Sequence, residues 1–306
     1  MLELTDVEVP APGPGEVVVD VAAAGVNYID TYHRSGAYPL ETPFGLGLEG
    51  AGEISAVGPD TDFTVGERVA WMGTRGSYAE KIVLPTAGLV RIPDPVTDET
   101  AAALLLQGVT AHYLVTSTYP VQDGDTVLVH AAAGGVGLLL TQLAKARGAR
   151  VLATVSTPEK ESLAREAGAD EVVGYEDFDK HARVFTEGKG VAAVFDGVGK
   201  TTFDQSLASL RPRGYMVLYG AASGPVPPVD PQRLNAGGSL FLTRPTSSHY
   251  VATPDELRWR TGELFEAVIS GTLSVRIGGR YPLDQAAKAH EDLQARRTTG
   301  KLLLIP

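Results

Sequence analysis

The chemistry in this chain begins at Leu128-Val129-His130-Ala131-Ala132-Ala133-Gly134-Gly135-Val136-Gly137-Leu138. An apolar run stops at small residues and glycines, and a helix-like apolar pattern follows. The order predicts a strand, a tight turn and a helix whose N-terminus faces the turn. Glycine lets backbone come close to a ligand, and the open N–H groups and dipole of a helix N-terminus attract an anion. A dinucleotide pyrophosphate suits such a site. Alone, the turn is equally compatible with a tight connection that binds nothing, so its surroundings decide. Gly134, Gly135, Val136 and Gly137 are the expected contacts.

The second strand of the pattern, Arg150–Val155, ends about twenty residues beyond the turn, where dinucleotide folds read the adenine ribose. An NAD site places Asp or Glu there. This chain has Ser156, Thr157, Pro158, Glu159 and Lys160. Hydroxyls and a lysine suit a 2′-phosphate, which a carboxylate at the strand tip would repel. Ser156 and Lys160 are therefore assigned to the phosphate of NADPH; the competing reading has Lys160 solvated and paired with Glu159 or Glu161. Tyr175, past the third strand, either meets the same phosphate or caps the sheet as a loop aromatic. His130 is read as a packed strand residue and His249 as a surface residue.

Those positions need a scaffold, and the chain predicts one. From Val17 to about Leu106 it reads as short strands broken by Gly and Pro, among them Val17–Ala22, Gly50–Val57, Glu67–Trp71 and Ala79–Leu84. Helical segments follow at Asp98–Leu106 and Thr110–Thr118. From about Thr126 strands alternate with helices. The strands are Thr126–His130, Arg150–Val155, Glu171–Val173, Ala192–Asp196, Tyr215–Tyr219 and Ser239–Thr243. The helices are Val136–Arg147, Pro158–Ala167, Phe178–Thr186 and Thr202–Leu210. Alternation with near-continuous apolar strands predicts an α/β protein with a doubly wound parallel sheet, the Rossmann arrangement, beside a β-rich domain. Pro254–Ser270 and Leu283–Arg296 read as amphipathic helices and Lys301–Ile305 as a final strand. The expected division is 1–108 with 246–306 for the substrate domain and 109–245 for the cofactor domain, with the ligand between them at the carboxyl ends of the parallel strands.

Composition narrows the function. The 306 residues contain no cysteine, so thiol nucleophiles, thiolate metal sites and disulfides are excluded. A net charge of −11 makes nucleic acid an unlikely partner by bulk electrostatics, and Arg211-Pro212-Arg213 and Arg296-Arg297 read as solvated surface. No apolar run is long enough to span a bilayer and no signal-peptide pattern opens the chain, so a soluble, cytoplasmic protein is expected.

Six runs together resemble the zinc-free, ζ-crystallin-like quinone oxidoreductases of the medium-chain dehydrogenase/reductase superfamily. They are Gly25-Val26-Asn27-Tyr28-Ile29-Asp30-Thr31-Tyr32, Gly45-Leu46-Gly47-Leu48-Glu49-Gly50-Ala51-Gly52, Gln107-Gly108-Val109-Thr110-Ala111, the glycine turn, Leu242-Thr243-Arg244-Pro245 and Gly300-Lys301-Leu302. Their order and spacing cover nearly the whole chain. The resemblance implies a GroES-like substrate domain, NADPH as cofactor and a quinone as acceptor. An enone or alkenal reductase is the nearest alternative, and a non-enzymatic NADPH-binding protein, crystallin-like or RNA-binding, a more distant one. Zinc-dependent relatives hold Zn²⁺ with two cysteines and a histidine. Asn27, Leu48 and Gln107 fall at or near those places and cannot ligate zinc tightly, so no metal is expected. Without a Lewis acid an already electrophilic acceptor is the natural substrate.

The resemblance also implies residue roles. Asn27, Tyr32 and Tyr38 would form the catalytic group, Asn27 orienting the nicotinamide ribose or the acceptor oxygen and the tyrosines binding or stacking on the quinone; the competing reading of both tyrosines is core packing in a helix turn. Thr110, Gly197, Val198, Tyr219, Gly220 and Ala221 would line the cofactor. Phe241 and Thr243 would bracket the nicotinamide, with Phe241 equally readable as a sheet-edge core residue, and Lys301 would reach in from the terminal strand. A homodimer is expected through the Ser239–Thr243 edge. Relatives carry a further strand upstream of the segment matching Leu2–Val9. That segment is expected to be the second strand of its domain, with either a start codon placed too late, the favoured reading, or a first strand that is truly lacking.

Overall fold

The computed structural model describes residues 2–306, so Met1, and with it the question of the start, lies outside the described residues. Thirteen strands and nine α-helices were assigned among them. In chain order the first are β1 (Glu16–Val26), α1 (Tyr28–Ser35), β2 (Glu49–Val57), β3 (Arg68–Met72), β4 (Lys81–Pro85), β5 (Leu89–Arg91) and α2 (Asp98–Tyr113). There follow β6 (Thr126–Val129), α3 (Gly135–Ala146), β7 (Arg150–Thr154), α4 (Pro158–Glu166), β8 (Glu171–Val173), α5 (Phe178–Phe185), β9 (Val191–Asp196), α6 (Phe203–Ser209), β10 (Leu210–Leu218), α7 (Gln232–Ala236) and β11 (Phe241–Thr243). The chain ends with α8 (Pro254–Ile269), β12 (Ile277–Pro282), α9 (Ala286–Gln294) and β13 (Lys301–Ile305).

The chain forms two compact units. One holds the described residues up to Val109 together with Val251–Pro306, and the other holds Thr110–Tyr250. In the first, the order β12-β13-β1-β2-β3-β5 makes one sheet, with β4 also on β1. Its core joins Val17, Val19, Ile54, Val69, Trp71, Leu84, Leu302 and Leu304, the alternating inward positions of their strands. The register of β1 on β13 sets Gly25 opposite Leu303 and Val26 opposite Leu302. The carboxyl end of β1 is thereby fixed beside the start of β13, 275 residues later.

In the second unit six parallel strands take the order β11-β10-β9-β6-β7-β8. The order reverses at β6, which places the turn after β6 at the switch point where open α/β sheets bind ligands. Leu128, Leu152, Val194 and Met216 are buried in its core. The α/β character, the doubly wound sheet and the β-rich domain match the expectation from sequence.

Three of the differences from that expectation have a clear physical reason. The helical segments expected at Asp98–Leu106 and Thr110–Thr118 join into α2, which passes through Gly108 and ends in a single π turn at Leu114–Thr118. Glycine weakens a helix by about 1 kcal/mol, but a Cβ there would lie 2.8 Å from Leu104 Cδ1 and 3.2 Å from Leu264 Cδ1, so its absence allows α8 to approach. Leu2–Val9 is not a strand. Leu4 and Val7 are exposed, no neighbouring strand pairs with the segment, and an extended run without a ladder partner gains nothing from pairing. The strand β12 was not foreseen, because Ile277-Gly278-Gly279 reads as a loop. Gly278 is needed there, since a Cβ would lie 1.7 Å from the Thr299 carbonyl oxygen. Among the described residues no helix is long and apolar enough to cross a membrane.

Candidate active site

The second unit supplies a cradle. After β6, Ala131 takes a left-handed φ of 51°, which turns the chain back under the strand ends. Gly134 is the N-cap of α3 and offers no side-chain cap. The Leu138 N–H donates to the Gly134 carbonyl at 2.9 Å, the first bond of the helix, so the N–H groups of Gly135, Val136 and Gly137 have no intrahelical acceptor. Gly137 lets the helix sit on the turn: a Cβ would lie 2.4 Å from Ala131 O and 2.7 Å from Ala132 Cα. These open donors and the absent side chains fit a pyrophosphate.

Tyr175 belongs to the turn. Its hydroxyl accepts the Ala131 N–H at 3.1 Å, and its ring lies near-parallel to His130 at 6.1 Å between centroids. Ser156 is exposed at the end of β7, and Lys160 Nζ lies 3.4 Å from its Oγ. Thr157 caps α4 by accepting the Lys160 N–H at 3.3 Å. The tip of β7 thus presents hydroxyls and an ammonium, a donor set suited to a phosphate.

A buried hub that sequence reasoning passed over lies beneath the turn. Asp196 Oδ1 accepts the N–H groups of Val198 at 2.8 Å and Gly199 at 2.9 Å. Its Oδ2 accepts the hydroxyls of Thr202 at 2.7 Å and Ser206 at 3.1 Å. Ser206 Oγ is also 2.9 Å from His130 Nε2, and Thr154 Oγ1 is 2.8 Å from His130 Nδ1. Burial lowers the His130 pKa against the opposing pull of Asp196, so the imidazole is neutral and packed, as its sequence position suggested. The available signal was an acid ending an apolar strand before Gly197-Val198-Gly199, where an acceptor-only side chain can gather turn amides.

The expected residues at the neighbouring strand ends converge. A Cβ on Gly197 would lie 2.9 Å from the Tyr219 ring, and one on Gly220 2.4 Å from Gly197 O. Tyr219 N donates to Asp196 O at 2.9 Å, and Ala221 follows at the same edge. Burial, with Asp196 next, pushes the Tyr219 phenol pKa up, so it stays protonated. Thr243 ends β11, while Thr110 is buried on α2. Phe241 lies at the amino end of β11, two residues before the carboxyl edge, and its ring stacks on Tyr215 at 4.5 Å. Parallel register sets Phe241 opposite Tyr215, and the pleat gives the ring that neighbour.

The first unit holds a buried polar network. Asn27 follows β1 and precedes α1, Glu49 opens β2 and Lys301 opens β13. Lys301 Nζ bonds Glu49 Oε2, and it donates to Asn27 Oδ1 at 2.8 Å. Asn27 Nδ2 donates to Glu49 Oε2 at 2.8 Å and to Gly25 O at 3.2 Å. Glu49 Oε1 accepts the Leu106 N–H at 2.6 Å. Lys301 and Glu49 are 1% and 0% exposed, so the pair is fully desolvated. Burial lowers the Lys301 pKa, and Glu49 opposes that shift. The Asn27 amide is bonded at both ends to the protein, and the Lys301 ammonium is bonded to Glu49 and Asn27, because the buried Glu49 carboxylate demands both donors.

Three further residues extend the network. The Asp30 carboxylate accepts the Asn27 N–H and the Tyr78 hydroxyl through Oδ2, both at 2.8 Å. Tyr78 Oη is 3.0 Å from His290 Nε2 on α9. Burial raises the Asp30 pKa to about 6 and lowers that of His290 to about 4. Tyr32 and Tyr38 form a separate aromatic group on and after α1: their rings are 5.2 Å apart, Tyr28 stands 5.4 Å from Tyr32, and Tyr38 is 43% exposed. Among the described residues no three His, Cys, Asp or Glu side chains converge to hold a metal ion.

Comparison with known proteins places these features. Residues 13–94 match the alcohol dehydrogenase GroES-like domain family and residues 135–252 the zinc-binding dehydrogenase family. The chain is 47% identical to a quinone oxidoreductase of Pseudomonas aeruginosa, over 100% of this chain and 96% of the relative. It is 42% identical to a 2-haloacrylate reductase of Burkholderia, over 98% and 94%. It superposes on the Escherichia coli quinone oxidoreductase solved in complex with NADPH with a TM-score of 0.96, at 40% identity, covering 99% and 95% of the two chains.

Two outcomes follow from the first unit. Lys301→Met leaves Glu49 buried and unpaired and should cost about 3–5 kcal/mol. Adding Glu49→Gln should restore much of it, and equal urea midpoints for the wild type and Lys301→Met would refute the ion pair's structural role. The linked pKa shifts of Asp30 and His290 act in opposite senses on stability. A raised Asp30 favours the fold below its ordinary value of 3.8, a contribution lost as pH rises through about 6. A lowered His290 favours the fold above its ordinary 6.5, a contribution lost as pH falls through about 4. Relative to the wild type, Asp30→Asn should therefore lose stability as pH falls from 6.5 to 4, and His290→Gln should gain it. Denaturation at pH 4.5 and pH 7 reads both; gaps that do not change with pH would contradict the assignment.

Proposed function

This chain belongs to the quinone oxidoreductase family of the medium-chain dehydrogenase/reductase superfamily, and from that premise we propose that it passes a hydride from NADPH to a quinone without a metal. The observation that carries the cofactor half is the cradle at Gly134–Gly137, with Ser156 and Lys160 at the tip of β7. Bound NADPH supplies the hydride. The N–H groups of Gly135, Val136 and Gly137 hold the pyrophosphate, while Ser156, Lys160 and Tyr175 meet the 2′-phosphate. Thr110, Gly197, Val198, Tyr219, Gly220, Ala221 and Thr243 are assigned to the nicotinamide side.

The acceptor half rests on Asn27, Tyr32 and Tyr38. Leu48, Asn27 and Gln107 leave no thiolate or imidazole where zinc-dependent relatives hold their metal. A quinone needs only hydrogen-bond donors to accept hydride, and the phenols provide them. Asn27 holds its geometry through Lys301 and Glu49, and that rigidity is its contribution to orienting the acceptor. The likeness to a 2-haloacrylate reductase supports a second reading, in which an activated alkene takes the hydride. Product analysis separates the two: a hydroquinone in one case, a saturated carbon–carbon bond in the other.

With a chelator present, a quinone should drive oxidation of NADPH faster than of NADH. Lys160→Ala should cut the NADPH preference about tenfold, equivalent to ~1.4 kcal/mol. Absorbance of the reduced cofactor reads both, and a preference for NADH or loss of activity on chelation would overturn the reading.

A homodimer is part of the proposal. The strand β11 ends its sheet, and an unpaired apolar edge invites pairing with a second copy. Light scattering should give twice the mass of the chain at micromolar concentration; a monomer rejects the dimer.

A further inference from the structure

We propose that Asp30, Tyr78 and His290 form a buried proton relay that supplies the proton consumed with each hydride. The inference rests on the hydride-transfer reading above and adds a role for three residues that the reading leaves idle. A hydride brings one hydrogen nucleus and two electrons. A quinone that receives it becomes a hydroquinone anion, and one proton completes the hydroquinone. That proton must come from solvent through some path or from bulk directly.

The geometry points to this path because of where its hydrogen bonds stop. Asp30 Oδ2, Tyr78 Oη and His290 Nε2 are joined in series at 2.8 and 3.0 Å. The two terminal atoms, Asp30 Oδ1 and His290 Nδ1, are buried and have no hydrogen-bond partner within the protein. A network that only braces the fold satisfies its ends, since each unpaired buried polar atom costs about 1–3 kcal/mol. A relay must leave one position open to receive a proton and one open to release it. Every interior atom here is bonded and both ends are open.

The transfer balances step by step. In the resting state Tyr78 donates to Asp30 and the Nε2–H of His290 donates to Tyr78. A proton reaches His290 at Nδ1 and forms an N–H bond. The Nε2–H bond breaks as its proton passes to Tyr78 Oη, whose own proton passes to Asp30 Oδ2. Each transfer makes one N–H or O–H bond and breaks one, and no electrons leave the chain. His290 is left as the Nδ1–H tautomer and Asp30 as a neutral acid. A half-turn of the carboxyl presents its proton at the unpartnered oxygen position, from which it goes to the reduced acceptor. Both states hold the same number of protons, so the resting state returns without proton gain or loss: the Tyr78 hydroxyl rotates back towards Asp30 and a turn of the imidazole brings its N–H back to Tyr78.

The surroundings suit this traffic. Asp30 faces the Lys301 ammonium and the Glu49 carboxylate, whose charges act on it in opposite senses. Tyr78 feels the same two acids, Asp30 and Glu49. His290 faces Arg34, one turn beyond Asp30 on α1, which disfavours a lasting imidazolium. Arg34 itself bonds exposed Gln294 at 2.5 Å. Asp30 accepts near neutral pH while His290 stays neutral, so a proton passes through the imidazole without stopping there. At the inner end Asp30 is bonded to Asn27, the residue assigned to the acceptor.

Two measurements test the relay separately from the reading beneath it. Nitrogen-15 NMR of histidine-labelled protein, free of cofactor, reads the His290 tautomer. It should pass from Nε2–H to Nδ1–H as pH falls through about 6, and Tyr78→Phe should abolish the change. A tautomer that is constant from pH 5 to 8 overturns the relay whatever the enzyme does. Quinone turnover then reads its use. Tyr78→Phe should lower kcat by about tenfold or more, the lower range for a lost proton transfer, with the KM for NADPH unchanged. Imidazole buffer at fixed pH and ionic strength should raise the variant's kcat and leave the wild type unaffected. A purely structural role predicts no such rescue. A tautomer change with undiminished, buffer-insensitive turnover in Tyr78→Phe overturns the supply of the proton. Wild type that turns over no quinone defeats the hydride-transfer reading and the relay's service to it, while the tautomer still decides whether the wire exists.

Discussion

The first unit depends on one buried ion pair. Lys301 and Glu49 come from strands 252 residues apart and meet with almost no solvent contact. Removing two charges from water costs several kcal/mol per ion, and their attraction offsets that only when the remaining donors and acceptors are also filled. Asn27 fills them from one side and the Leu106 N–H from the other. The backbone must yield for this to happen. A Cβ on Gly25 would lie 2.5 Å from Glu49 Oε2, 2.6 Å from Ala102 O and 2.7 Å from Lys301 Cε. Glycine at that point of β1 is a condition of the pair. The terminal strand, the first helix and the second strand are locked together by a single desolvated contact.

The second unit solves a related problem with a different device. A parallel sheet ends in backbone groups and loops that must be satisfied before a cradle can stay open to a ligand. Asp196 gathers two turn amides and two hydroxyls, and Ser206 passes the connection to His130, one residue before left-handed Ala131. The ends of β6, β7 and β9 are tied beneath the turn, and the donors of α3 stay unoccupied. Rigid support under open donors is the arrangement that makes anion binding cheap in reorganisation.

Sequence revealed the scaffold more fully than the connections. Six apolar strands with helices between them announced the parallel sheet, and the glycine turn announced the cradle, because both are local patterns. The joined α2 was hidden by Gly108, whose purpose lies in a contact with Leu264 far along the chain. Asp30, Tyr78 and His290 were hidden for the same reason. They lie up to 260 residues apart, and each alone is an ordinary polar residue. Asn27 and Lys301 were legible as important positions through resemblance, but the partner that binds them together, Glu49, could be recognised only once β1, β2 and β13 were adjacent. Phe241 shows the opposite limit: its strand was legible, but that the strand begins only at Phe241 was not.

Replacing a metal site changes what the surrounding protein must do. A Lewis acid stabilises developing negative charge on oxygen and removes the need to deliver a proton promptly. In the metal-free reaction proposed for this chain, that charge would be met by positioned hydrogen bonds and then neutralised. The Asn27–Glu49–Lys301 group provides fixed geometry and a nearby cation, but it is fully bonded and has no proton to spare without exposing a buried charge. The acid with a raised pKa is one helical turn away, joined to Asn27 by its own backbone and leading outward through a phenol and a neutral imidazole. Burial penalises the ionised Asp30 and the protonated His290 alike, so the low-dielectric packing that stabilises the unit also sets the direction in which a proton would move. Dry packing and proton supply are then two consequences of the same constraint.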